Sequence, residues 1–290
     1  MKFDPSKHNT KPITSPGPKP GVVFDPKKAK QQQAEKLEAE KHEVLVASDP
    51  TKLKVPTSFG PVKAWSFSAL EEYEKCPYKT YLSKVEKIKV EQPKDSPLVR
   101  GSRIHDLAEE FVRGKIDMAP ELKNFEQQFE QLRTRFENQP FPMEMEEDWG
   151  FNIHWTPTGW TAPDVWARQK LDVFYFEGET NAVIIDHKTG RKFGNELKHG
   201  GQGLQYAIGA FMKYPQLDYI TSEFWYLDTK GEKLRKNFTR ERALIHLPKI
   251  HQRAVVMTTA TQFPPKPSKG NCKWCDYRKS GDCEFAVEDF

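Results

Sequence analysis

The 290-residue sequence has no apolar run of the roughly 18 residues that a membrane-crossing helix needs. Its opening, MKFDPSKHNTKPITSPGPKP, also lacks the apolar stretch of a secretory signal. Both absences point to a cytoplasmic protein. No G-x-x-x-x-G-K-[ST] loop occurs, so no ATPase of its own is expected, and no internal repeat is present. Cysteine is scarce, at four residues. In a chain without a secretion signal these are poor disulfide candidates, and metal ligation fits them better.

What is present describes a globular chain with much solvated surface: 37% hydrophobic, 30% charged and 12% aromatic residues. Net charge is +4. Residues 1–60 hold eleven lysines against seven acids, so the rest of the chain balances to zero and any basic surface there must come from patterning. Residues 1–30, rich in Pro, Lys and Thr, read as a disordered arm, and 27–47 as a solvated, partly helical linker. The disordered basic arm and linker are thus expected over 1–60.

Folded structure is expected from about Trp65. Ser68 followed by Glu71 reads as a capping box opening a helix that Pro77 ends, and 97–114 and 121–138 read as two further helices. From 164 the apolar period becomes that of strands: DVWARQKLDVFYF, the turn EGETN, then AVIIDHK. A helix at about 201–213, strands at 219–228 and 233–239, and a helix over 240–260 complete an α/β sandwich.

The stretch AVIIDHKTGR, 182–191, runs four apolar residues into an aspartate, a histidine and a lysine. A hairpin centred on Glu179 sets Asp172 opposite Asp186 and Lys170 opposite Lys188. Opposed carboxylates about 5 Å apart repel one another. A divalent cation held by one or two carboxylates resolves that repulsion, and two strand-end salt bridges are the plainer alternative.

These residues resemble the PD-(D/E)xK nuclease superfamily and, within it, the RecB-type exonuclease branch. Asp172 matches the first acid, Asp186 and Lys188 the (D/E)xK pair, and Thr189-Gly190 the ending of that motif. Gly101 to His105, GSRIH, resembles the branch's GxxxH element, which implies His105 as a further metal ligand and Gly101 as a point of close approach. Gln202 to Tyr206, QGLQY, resembles the QxxxY element, which implies a role in holding the DNA backbone or orienting catalytic groups. Glycines 200, 201 and 203 are expected at that helix's start, where free N–H groups receive a phosphate. Where the family often has glycine three residues before the first aspartate, this chain has Gln169, and which of Glu144, Glu146 and Glu147 adds an acid is left open.

The spacing Cys272-x2-Cys275-x7-Cys283, with Cys76 far upstream, resembles the iron-sulfur staple of AddB-type and CRISPR-associated RecB-like nucleases. It implies a 4Fe-4S cluster, with Zn2+ or unligated thiols as the alternatives.

The resemblance implies a restriction-endonuclease-like core, a central mixed β-sheet flanked by helices, over 61–265, and a tail at 266–290 closing a cluster with Cys76. It further implies a Mg2+- or Mn2+-dependent DNA exonuclease. The metal would be held by Asp172, Asp186, His105 and the carbonyl of His187, with Lys188, Gln202 and Tyr206 completing the catalytic set. DNA is the implied partner, together with a helicase or recombination protein. The rival readings are a CRISPR-associated nuclease processing DNA for integration, and a DNA-binding scaffold with a degenerate nuclease fold.

Overall fold

A computed structural model describes residues 30, 31, 33, 36, 49–138, 141–190 and 192–287. Of the arm and linker expected over 1–60, residues 1–48 therefore lie almost wholly outside the described residues, while 49–60 are ordered and depart from that expectation. The segment from Asp49 to Gly60 is part of the compact unit Val44–Phe290. Its Gly60 N–H donates to the Thr258 carbonyl, and the Lys54 carbonyl meets His251 Nε2 at 2.8 Å.

Six strands form one mixed sheet in the order β2-β1-β3-β4-β5-β6. They are β1 Met143–Phe151, β2 Pro157–Thr158, β3 Ala167–Phe176, β4 Asn181–Lys188, β5 Tyr219–Tyr226 and β6 Lys233–Thr239. The expected mixed sheet flanked by helices is what the chain forms. β4 and β5 are parallel, and such a pair needs a crossover, supplied by helix α5 (Glu196–Lys213). The remaining helices are α1 Phe67–Lys75, α2 Pro77–Thr80, α3 Pro97–Val112, α4 Glu126–Asn138, α6 Arg240–Leu244, α7 Leu247–Thr259, α8 Lys269–Cys272 and α9 Asp276–Ser280. None of the described helices is long and apolar enough to cross a membrane.

The sheet separates two cores. On the α5 side, Leu171, Phe174, Phe176, Ile184, Ile208 and Phe211 pack with a tryptophan trio, Trp65, Trp155 and Trp166, whose rings meet edge to face at 5.5–6.1 Å. On the other side α3 and α4 cover Val173, Val183, Ile185 and Trp225.

Several local expectations need correction. The N-cap of α1 is Ser66, whose hydroxyl accepts from the Ala69 N–H, while Ser68 lies inside the helix. A serine two residues earlier meets the same requirement, and proximity to the apolar run does not choose between them. Helix α5 begins at Glu196, so Gly200, Gly201 and Gly203 sit beyond its first turn, where their N–H groups are spent on the helix itself. Gly203 has a packing role instead: a Cβ there would stand 2.7 Å from Ser222 Oγ on β5. The helix expected over 240–260 is two, α6 and α7, with Pro248 in the first turn of the second. The segment 120–125 is 3-10 helix before α4 begins. Strands β1 and β2 were not anticipated at all.

Candidate active site

The β3–β4 hairpin holds the expected register. Val173 pairs with Ile185, Phe174 with Ile184, Tyr175 with Val183 and Phe176 with Ala182, all symmetric about Glu179. Pairing stops there, just short of Asp172 and Asp186, and the strands part: β3 continues against β1 and β4 against β5.

Alternation along β3 slips at the same place. Leu171 and Phe174 both pack in the α5-side core, although an odd number of positions separates them, while Val173 packs on the other side. In the facing strand the β1–β3 ladder skips Glu146, whose backbone is left-handed at φ 52°. The ladder misses Asp172 with it and resumes in the same register on either side, so no residue is inserted and what marks the spot is this conformation, uncommon and strained for a residue with a side chain. Its effect is to aim Glu146 and Asp172 into the opening between β3 and β4.

An open cleft of about 660 Å3 results, lined by Gly101, His105, Glu146, Lys170, Asp172, Asp186, Lys188, Gln202 and Tyr206 among others. Asp172 accepts from the His187 backbone N–H at 2.6 Å, and its other oxygen lies 3.1 Å from His105 Nδ1. Glu146 pairs with Lys170 at 3.0 Å and lies 3.9 Å from His105 Nδ1. Asp186 is close to Lys188 Nζ at 2.5 Å and accepts from the Tyr206 hydroxyl at 3.1 Å. Gln202 donates its amide to the same Tyr206 oxygen at 2.7 Å, so the i, i+4 pair on α5 forms a relay that fixes the Asp186 carboxylate. Gly101 brings α3 close to the loop after β4, since a Cβ there would lie 3.2 Å from Thr189 Oγ1.

The electrostatics follow from crowding charges under cover. Burial would raise Asp172, but the hydrogen bond and charge of His105 outweigh it and hold the carboxyl below its usual value. Burial raises Asp186, with Asp172 adding to the effect and Lys188 opposing it. Glu146 is raised by burial and by Asp172. Burial works against the His105 cation, yet Asp172 lifts it to about 9. The His187 ring is buried against Phe129 and Trp225 and pushed down to about 4, so it stays neutral; among the described residues neither ring nitrogen has a hydrogen-bond partner. Its ring thus belongs to the core, leaving its carbonyl as the group expected at the metal. Burial and Asp186 drive Tyr206 far above its usual value, which keeps it a hydroxyl donor.

The residues fit a hard divalent ion. His105, Glu146 and Asp172 each offer one ligand atom, all within 4.8 Å of one another. Ligands at about 2.0–2.1 Å from an octahedral Mg2+ lie roughly 3–4 Å apart, so only a small contraction is needed. Glu146 is thereby separated from its neighbours. Glu144 is taken up by Trp149 Nε1 at 3.0 Å, by Lys213 and by the Tyr214 hydroxyl. The left-handed turn that singles out Glu146 left no mark in residue type.

The four cysteines line a second, small cavity of about 30 Å3, bounded also by Lys79, Leu82 and Pro265. The tail reaches it because Asn271 Nδ2 donates to the carbonyls of Lys75 and Lys266, and Lys266 Nζ to that of Glu74. The Lys266 N–H points at Cys76 Sγ, 3.5 Å away. Burial and the neighbouring Cys275, Cys76 and Cys272 push the Cys283 thiol up. Among the described residues no three of these sulfurs come within 4.8 Å of one another.

No curated protein matches by sequence. The crystal structure of SSO0001 aligns with 86% of this chain and 98% of its own at 14% identity and a TM-score of 0.40. That of a protein named as a candidate exonuclease from Eubacterium rectale aligns with 79% and 90% at the same identity and score. The model of the PD-(D/E)XK nuclease superfamily matches residues 64–170 and 168–280, nearly the whole described body, and the chain belongs to that superfamily.

Proposed function

We propose that this chain is a Mg2+- or Mn2+-dependent deoxyribonuclease acting at DNA ends, an exonuclease of the RecB-type branch in recombination, repair or genome degradation. The observation that carries the reading is the convergence of Asp172, Asp186, Glu146, His105 and Lys188 in one open cleft, where the sheet parts to admit a substrate. Asp172, Asp186, His105 and Glu146, with the His187 carbonyl, would hold the metal. Such an ion, when bound, polarises the scissile phosphate and acidifies a water. Lys188 orients that water and balances charge developing on phosphorus. Tyr206 and Gln202 hold Asp186 in one orientation through the relay described above. His105, whose proton Asp172 favours, would have to be neutral to offer its Nδ1 to the metal.

The cysteines are proposed to hold a 4Fe-4S cluster that clips the tail to the α1–α2 junction. With no ATPase loop in the sequence, any unwinding of duplex comes from a partner helicase.

The test is Mg2+-dependent digestion of linear DNA. Asp186→Ala and Lys188→Ala should each lower cleavage by at least about 100-fold with an unchanged circular-dichroism spectrum. Full activity in either variant, or DNA binding without products in the wild type, overturns the proposal; the second result would favour the scaffold reading.

A further inference from the structure

Apart from the cleft, one cavity combines an exposed aromatic ring with unneutralised cations. It measures about 360 Å3 and lies between α1, the first turn of α5 and the cysteine tail, with Lys75, Lys198, Asn271 and Trp274 on its wall. Trp274 is 72% exposed, while five of the other six tryptophans are buried. The buried Cys272 and Cys275 flank it, so the turn that points those side chains inward holds the indole out in water. An exposed indole on the wall of a cavity offers a stacking face to a ligand ring. Lys273 Nζ stands 5.2 Å from its ring centroid.

The acids of this wall are already engaged: Glu72 with Lys79, and Glu71 and Glu74 with Arg253. Lys75 and Lys198 have no such partner among the described residues. The Lys198 ammonium is pushed below its usual value by the protein crowding it and then by Lys75 and Lys188, with Glu71 opposing, so Lys75 and Lys198 face the cavity as two cations without an ion-pair partner of their own among the described residues. Lys198, Gln202 and Tyr206 are four residues apart on α5 and share one face, a row that leads from the cavity to Asp186.

We propose that this cavity is a guiding subsite for single-stranded nucleic acid, in which one base stacks on Trp274 and the adjoining phosphate lies between Lys75 and Lys198. The strand then reaches the cleft along the Lys198–Gln202–Tyr206 face. A stacking platform beside a backbone-tracking cation pair is how proteins hold unpaired strands without reading sequence. A duplex offers no free base face, and a cavity of this volume admits a base or two. The inference rests on the nuclease reading above and gives the cysteine tail a part in substrate binding.

The experiment compares Trp274→Ala, Trp274→Phe and the Lys75→Gln/Lys198→Gln pair on two substrates: a single-stranded oligonucleotide long enough to span both sites, and bis(p-nitrophenyl) phosphate. Trp274→Ala should raise KM for the oligonucleotide about 5- to 100-fold, the range for losing one stacked base, with kcat within about twofold. Trp274→Phe should recover most of the loss, and the lysine pair should raise KM while flattening its salt dependence. Hydrolysis of the small ester should not change. If Trp274→Ala loses the tail's metal, the lysine pair, outside the cysteine segment, decides alone. Unchanged oligonucleotide KM in both sets, or a parallel loss on both substrates, overturns the proposal. Wild-type protein inert toward both substrates would sink the nuclease reading alone, because quenching of the Trp274 part of the fluorescence by oligonucleotide, without divalent ions, reads the subsite independently.

Discussion

The acidic cleft and the cysteine cavity each gather about four ligand-type side chains, but the protein prepares them to different degrees. In the cleft the side chains stand on β1, β3, β4, α3 and α5, elements rooted in both large cores, and each carboxylate already has a protein cation or N–H beside it. Three ligand atoms are within a few ångströms of metal-binding distances. Cys76 stands at the α1–α2 junction, Cys272 ends the four-residue α8, and Cys275 and Cys283 flank the five-residue α9, over a small cluster of Leu82, Cys275 and Tyr277. Helices that short have no stability of their own. The cleft is set up by the fold alone, whereas the tail is held by a few hydrogen bonds and, on the proposed reading, would gain its fixity from a bound cluster.

This contrast is broken most sharply by removing one ligand from each place. Asp172→Asn should lower metal-dependent cleavage by at least about 1,000-fold while a thermal melt at or above pH 9, where the His105 pair contributes little, moves within about 3 °C. Cys76→Ser should do the reverse: loss of brown colour and bound iron, a melt lowered by on the order of 10 °C, and a cleft whose metal affinity is unchanged. If both variants lose stability equally, the distinction between the two sites fails.

Glu146→Gln should weaken Mg2+ binding about 10- to 100-fold by calorimetry and leave the melt nearly unchanged, since the strained backbone keeps its place. A smaller effect belongs to pH. With a folded value near 9 against 6.5 unfolded, the His105 cation contributes stability that is complete below pH 6.5 and is lost as pH rises through 9. Metal-free protein should therefore lose up to about 2 kcal/mol between pH 6.5 and 9, and saturating Mg2+, which displaces that proton, should flatten the slope. A flat profile without metal would remove His105–Asp172 as the source.

Much of this was legible in the sequence, for identifiable reasons. A tight turn between two apolar runs fixes strand register, so counting outward from Glu179 gives the right centre, but the two pairs expected from it fall beyond the end of the ladder: Asp172 and Asp186 face a parted sheet, Lys170 pairs with Asp148 and Lys188 with Tyr226. The helical spacings Gly101 to His105 and Gln202 to Tyr206 aligned those side chains because i, i+4 positions always share a face. Counting four thiols located the second cavity. β1 escaped because MEMEEDWGF is acid-rich and loses its alternation at the left-handed Glu146, so neither hydrophobicity nor period marks a strand. The same break chose Glu146 over Glu144 and Glu147, and backbone strain of that kind does not show in residue types.

One small contact carries the smallest of these effects and a wider meaning. Gln169 reaches across to α5, where its amide donates to the Gln205 carbonyl at 2.9 Å, and Gly209 leaves the room: a Cβ at 209 would lie 2.1 Å from the Gln169 oxygen. Gly209→Ala should cost about 1–2 kcal/mol and loosen Tyr206 from Asp186. The space that Gly209 leaves open is the space that Gln169 fills, making positions 169 and 209 a lock and its keyhole. A chain that changes one of them has to change the other to keep its seat beneath the cleft.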